Sequence, residues 1–165
     1  MKTYKHGNNP IPEGEYYFGD PCYVVPRDKW SELISLIYSD GVADFNDKEN
    51  MRAVEVDDDK FYMFGTLYGD GEYPLYSTDN ETVFLPVDSG TLSIIPMNLI
   101  KKWQAEEKAK NMGTFVKLPN TSTLHLSEGV LDIDGGALSI VTEYYDELDY
   151  WDEDESDEFD EFEDF

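Results

Sequence analysis

Arg52-Ala-Val-Glu-Val-Asp-Asp-Asp-Lys-Phe-Tyr-Met-Phe-Gly-Thr-Leu67 is the stretch on which the fold reading turns. β-branched and aromatic residues crowd both sides of a polar break, which is the composition of two strands and a connection. The stretch predicts a hairpin of Arg52–Val56 and Phe61–Leu67 across Asp57-Asp58-Asp59-Lys60. Toward the N-terminus, Glu15–Phe18 and Cys22–Val25 read as short strands broken by the turn Gly19-Asp20-Pro21. Pro26 then leads into a helix over Lys29–Ser39, capped by Asp28, with Trp30, Leu33, Ile34, Ile37 and Tyr38 on one stripe. Asp40-Gly41 ends it, and residues 42–50 read as a loop.

Toward the C-terminus, Tyr68-Gly69-Asp70-Gly71 reads as a turn, followed by strands near Glu72–Tyr76, Thr82–Leu85 and Thr91–Ile95. Pro96 opens a second helix to about Asn111, with Leu99, Ile100 and Trp103 inward and Gly113 as its stop. Four further strands are predicted at Thr114–Leu118, Thr123–Leu126, Val130–Ile133 and Ala137–Glu143. The expected fold is α+β, a mainly antiparallel β-sheet with two helices over residues 1–142, followed by a disordered acidic tail over 143–165.

That tail holds most of an extreme charge. The 165 residues carry 37 Asp or Glu against 12 Lys or Arg, a net charge of −25. Glu143–Phe165 holds fourteen of the acids and no base, which leaves the body at −11. Such a balance argues against a binder of duplex DNA or of anionic membranes, whose affinity comes from Lys and Arg. With 40% hydrophobic and 15% aromatic residues, the chain is not one of wholesale disorder. No run approaches the ~18–20 apolar residues of a membrane span, and Met1–Gly14 lacks the apolar core of a signal peptide. The single cysteine, Cys22, forms no intramolecular disulfide and fits a reducing compartment, so a cytoplasmic protein is expected.

Aromatic residues interleave the tail acids, the pattern of a segment that folds on a partner. The partner-binding candidates are Asp149, Trp151, Asp152, Glu153, Asp154, Glu155, Asp157, Glu158, Phe159, Asp160, Glu161, Phe162, Glu163, Asp164 and Phe165, with Trp151 and the three Phe as anchors. As a helix, 23 residues span ~35 Å and carry one charge per ~2.5 Å. That lies between the ~1.7 Å spacing of duplex DNA and the ~3.4 Å of one strand. The bland alternative is a solubilising tail. Lys101, Lys102, Lys108 and Lys110 are either a solvated face or a dock for this tail.

Catalytic and metal signals are thin. His6 lies in a polar N-terminal stretch, and nothing local ties Cys22 to His125 as a thiol dyad. Asp57-Asp58-Asp59 and Asp44/Asp47/Glu49 offer oxygen ligands without the spacing of a calcium loop. No catalytic residue, metal or cofactor is therefore expected. One internal echo stands out: Val87-Asp-Ser-Gly-Thr-Leu-Ser-Ile-Ile95 and Ile133-Asp-Gly-Gly-Ala-Leu-Ser-Ile-Val141 agree at five of nine positions. It reads either as two similar hairpin corners in one sheet or as a duplicated ligand loop, with Asp88 and Asp134 equivalent and Asp70 as a further loop candidate.

The motifs GDPCYV (Gly19–Val24, with Trp30 after it), YGDGEY (Tyr68–Tyr73) and VDSGTLSI (Val87–Ile94) resemble a group of uncharacterised bacteriophage-type small proteins. The tail, ending Glu163-Asp164-Phe165, resembles the acidic, Phe-terminated tails of single-stranded DNA-binding proteins, which dock on replication and repair partners. The body departs from that family in lacking a basic, aromatic-studded groove. In overall acidity the chain is similar to phage DNA mimics, which block DNA-binding enzymes. The combined expectation is a phage-type inhibitor, not an enzyme, that occludes a basic nucleic-acid-binding protein of the host. Two alternatives stand beside it: an accessory of nucleic-acid metabolism whose tail recruits partners, and a body that sequesters a small ligand such as a nucleotide.

Overall fold

The computed structural model describes residues 1–40 and 47–142, the side chains of residues 37–40 excepted. The tail 143–165, with every partner-binding candidate from Asp149 to Phe165, lies outside the described residues, as does Asp44. Strands β1 (Lys2–Gly7) and β2 (Gly14–Gly19) precede helix α1 (Arg27–Asp40). Then come β3 (Met51–Val56), β4 (Asp59–Gly65), β5 (Gly71–Ser77), β6 (Val83–Val87) and β7 (Thr91–Pro96). Helices α2 (Met97–Lys102) and α3 (Glu106–Met112) lead to β8 (Gly113–Leu118), β9 (Leu124–Ser127), β10 (Val130–Ile133) and β11 (Leu138–Val141).

All strand pairs are antiparallel. Six strands form a first sheet in the order β1-β3-β4-β7-β2-β8, and five form a second in the order β6-β5-β11-β10-β9. The first sheet is covered on both faces. Tyr16, Phe18, Tyr62, Phe64, Leu92 and Ile94 pack against the second sheet. Their neighbours Tyr17, Phe61, Met63 and Ile95 pack against Leu33 of α1, Leu99 and Ile100 of α2 and Ala109 of α3. Side chains alternate across a strand, so a strand covered on both faces must be apolar at every position. This accounts for the unbroken runs Tyr16-Tyr17-Phe18 and Phe61-Tyr62-Met63-Phe64. Tyr17, Phe18, Phe61 and Phe64 are each 2% exposed or less, and burying a side chain of this size contributes ~1.5–3 kcal/mol.

The hairpin forms, with a tighter turn than the composition implies. Val56 pairs with Asp59, so Asp57 and Asp58 alone make the turn and Asp59-Lys60 belong to β4. Both turn residues are left-handed, φ 53° and 66°, the geometry whose twist matches the flanking strands. The helix layer holds it there. Trp103 Nε1 and Lys29 Nζ donate to the Asp57 carboxylate at 3.2 and 3.3 Å, and Lys102 Nζ donates to Asp57 O at 2.8 Å.

Four expectations need correction. Strand β1 was not foreseen, because Lys2, Lys5 and His6 make it polar; it is an edge strand, where charge is the usual guard against further pairing. Cys22–Val25 is not a strand: Pro21–Tyr23 is a 3₁₀ turn, started by the Asp20 carboxylate accepting from Cys22 N at 2.8 Å. Helix α1 starts at Arg27, which puts Asp28 in its first turn rather than at the cap. The predicted second helix is two helices. Gln104 is left-handed (φ 54°), its N–H donates to Lys101 O, and Ala105 N donates to Ile100 O. Those two bonds are a Schellman end, closed over the buried pair Ile100 and Ala105. A glycine normally marks such an end, and here the residue is Gln.

The echoed segments differ in use as well. Val87–Ile95 carries the chain from the second sheet into the first, whereas Ile133–Val141 is a hairpin inside the second. They are not two corners of one sheet. No helix among the described residues is long and apolar enough to cross a membrane.

Two tests follow from this packing. A Cβ at Gly113 would lie 2.5 Å from Phe18 O and 2.5 Å from the ring of Tyr17, whose side chain packs in the helix–sheet layer. Gly113→Ala is expected to cost about 3 kcal/mol, read as a lower urea midpoint. Asp47 caps the start of β3 through Arg52 Nη2 at 2.9 Å, and Arg52 is 5% exposed. Burial alone would raise the Asp47 carboxyl; its bonds from Arg52, Glu49 N and Asn50 outweigh that and hold it at about 2. Its stabilisation is present above the ordinary value of 3.8 and is lost as pH falls through about 2. Asp47→Asn should therefore flatten the loss of thermal stability between those two pH values.

Candidate functional site

The fold brings the three sequence motifs to one place. Gly19–Tyr23 follows β2, Tyr68–Gly71 joins β4 to β5, and Asp88-Ser89-Gly90 joins β6 to β7. At their centre is Asp20, fully buried. Its Oδ2 accepts from the backbone N–H of Asp88 at 2.6 Å and of Ser89 at 2.8 Å. Its Oδ1 accepts from Cys22 N at 2.8 Å and Ser89 Oγ at 2.7 Å. Burying a carboxylate is costly unless its oxygens are satisfied, and four donors do so without a cation. Thr66 ties in the third loop, donating through Oγ1 to Gly69 O at 2.6 Å and through N–H to Gly90 O at 3.0 Å. Tyr73 OH also donates to Gly69 O, at 2.9 Å.

Asp70 and Asp88 thus sit on adjoining turns, and Tyr23 OH donates to Asp88 at 2.5 Å. Asp134 is elsewhere and is not equivalent to Asp88. It caps the approach to β9, accepting from Thr123 N and Ser122 Oγ at 2.9 Å each. Cys22 lies among carboxylates: burial, then Asp20, Asp88 and Asp70, push its thiol far up. A thiol held protonated is a poor nucleophile. Burial and Asp88 likewise push the Tyr23 phenol up.

The histidines are apart from this junction. His6 lies on β1 with its ring 4.7 Å from that of Tyr62, and burial lowers its pKa. His125 on β9 pairs with Asp132, which pairs with Ser139 on β11. The carboxylate stands in the middle of that row, whereas a nucleophilic relay needs the imidazole between hydroxyl and carboxylate. Among the described residues no three His, Cys, Asp or Glu group to hold a metal ion. Asp57 and Asp59 face Lys29 and Lys102 instead, and Asp47 faces Arg52.

Charge separates by layer. Residues 66–96 and 119–142, which supply all five strands of the second sheet, contain eight acids and no Lys or Arg. All twelve bases lie elsewhere, six of them on the three helices: Arg27, Lys29, Lys101, Lys102, Lys108 and Lys110. Apart from the second-sheet segments and the tail, the chain is nearly balanced, at −3. The outer face of the second sheet also carries aromatic side chains. Phe84 on β6 is 59% exposed and pairs with Pro74 on β5; Tyr76, two residues along the same face, is 46% exposed. Glu72 and Asp132 share this face.

Neither feature was foreseen. The Asp20-Pro21 pair could have been recognised as a cap followed by Pro at the first helical position. The absence of Lys and Arg from two segments is visible in the sequence, but only the sheet order places both in one layer.

Asp20→Ala removes the acceptor of three backbone N–H groups and should cost about 3 kcal/mol. Asp20→Asn should do little better, because either amide orientation sets its NH2 against N–H donors. Thermal unfolding of both variants, with Asp88→Asn as a surface control near wild type, checks this. Compared with known proteins, the chain matches no protein-family model, no curated protein and no solved structure.

Proposed function

We propose that this protein binds a basic nucleic-acid-handling protein by presenting carboxylates where that partner expects phosphate, and occludes it without chemistry. The observation that carries the reading is the charge separation: the two segments that supply the second sheet hold eight acids and no base, and the last of its strands leads into a tail of fourteen acids. A solubilising charge would need no such sorting. Aromatic residues accompany the acids in both parts, Tyr76 and Phe84 on the sheet and Trp151, Phe159, Phe162 and Phe165 in the tail. Aromatic anchors within a polar rim are what protein interfaces use for affinity. The resemblance to phage-type proteins and the single cysteine support an encounter in a host cytoplasm. The small-ligand alternative draws little from the loop junction, where a nucleotide phosphate would meet Asp20, Asp70 and Asp88 and no Lys or Arg.

Capture from a bacterial lysate on the immobilised full chain, followed by elution with duplex DNA, tests the proposal. Basic nucleic-acid-binding proteins should be retained at low salt and released by DNA, with affinity falling log-linearly with salt. Removing residues 143–165 should weaken retention at least ~10-fold, about 1.4 kcal/mol. Retained proteins that DNA does not displace would overturn the mimicry. Undiminished retention without the tail would assign the binding to the sheet alone.

A further inference from the structure

We infer that β8 is a docking edge to which a partner adds an extended, Lys- or Arg-bearing strand. This rests on the basic-partner reading above and names how such a partner is held. β8 pairs with β2 on one side only and ends the first sheet. Alternate backbone N–H and C=O groups along an edge strand point away from its neighbour and can template another chain. The other edges are guarded: β1 carries Lys2 and Lys5, β6 carries Pro86, and β9 has four residues. β8 has six residues, ~20 Å at strand rise, with one lysine near its end.

Beside β8 runs a groove of about 630 Å³. Residues 114–119 line it consecutively, as a strand does when it presents backbone rather than one face. The opposite wall is apolar, from Leu75, Val83 and Leu138 between the sheets, and the rim is acidic, from Asp79, Glu81 and Asp134 against Lys117 alone. Backbone pairing with alternate side chains in pockets is the strand-addition mode of peptide recognition. The rim selects the occupant. A second copy brings −25 and the chain's own tail −14 toward these carboxylates, whereas a strand alternating apolar and basic residues satisfies wall and rim together.

A seven-residue, end-blocked peptide of alternating lysine and valine is the probe, added to the isotope-labelled full chain. Binding should slow hydrogen exchange at the groove-facing amides of residues 113–118 by about tenfold or more. The double variant Asp79→Asn, Glu81→Gln, both on an exposed loop, should weaken the peptide about fivefold. The same peptide N-methylated at alternate residues keeps its charge and loses its donors, and should not bind. If the methylated peptide binds equally well, strand addition is overturned while the basic-partner reading stands. If neither peptide alters β8 although DNA-displaceable proteins are still captured, the inference alone is overturned. Dimerisation of the free protein with protection of the same amides would give the edge to a second copy and overturn it too.

Discussion

Two-sided burial of the first sheet is the constraint from which the rest of this structure follows. β2, β4 and β7 lie inside it, with the second sheet on one face and three helices on the other. A sheet enclosed in this way leaves the middle of its central strands little room for polar groups, and the charges of β2 and β4 (Glu15, Asp59 and Lys60) stand at the strand ends. The exceptions are small hydroxyls. Thr91 and Ser93 are fully buried, and Ser93 Oγ donates to Gly19 O at 2.7 Å.

Joining the two sheets requires a chain crossing, and that crossing carries the one fully buried carboxylate among the described residues. Asp20 reaches from the end of β2 to the turn that takes the chain from β6 into β7, holding it through backbone N–H groups. A buried arginine partner would be the usual alternative. Backbone donors serve the same end in a chain with three acids for each base, and their geometry is fixed by the turn itself. Thr66 draws the Tyr68–Gly71 turn close through Gly69 and Gly90, so the chemically suggestive aspartates Asp70 and Asp88 gather around a structural anchor.

Once the core is enclosed, the exposed layers are free to differ in charge, and they do. The helix layer balances its acids with six bases, some tied to the β3–β4 turn, while the second sheet has none. Uncompensated acid on a folded face costs stability through self-repulsion. Its concentration in the segments that supply the second sheet, with Tyr76 and Phe84 exposed among them, is the feature on which the proposed function rests. The free edge of β8 lies beside that layer, so in the proposed complex charge attraction and backbone pairing would act on the same side of the molecule.

Much of the architecture was legible from local chemistry. The Arg52–Leu67 hairpin, the antiparallel α+β class and the strands around Thr91–Ile95 and Val130–Ile133 follow from alternation, turn residues and β-branched runs, which depend on near neighbours. What escaped depends on distant ones. β1 is a strand because β3 pairs with it, and Gln104 ends α2 because Ile100 and Ala105 are buried together. Asp88 and Asp134 look alike in sequence yet meet Tyr23 in one case and Thr123 in the other. By itself the sequence determined the charge total, its concentration after residue 142 and the apolar runs that demand a covered sheet. The tertiary structure alone decided which strands share a layer, and hence that two segments without Lys or Arg supply one sheet, with Glu72 and Asp132 on its outer face, because sheet order is set by burial across the whole chain and not by any local pattern.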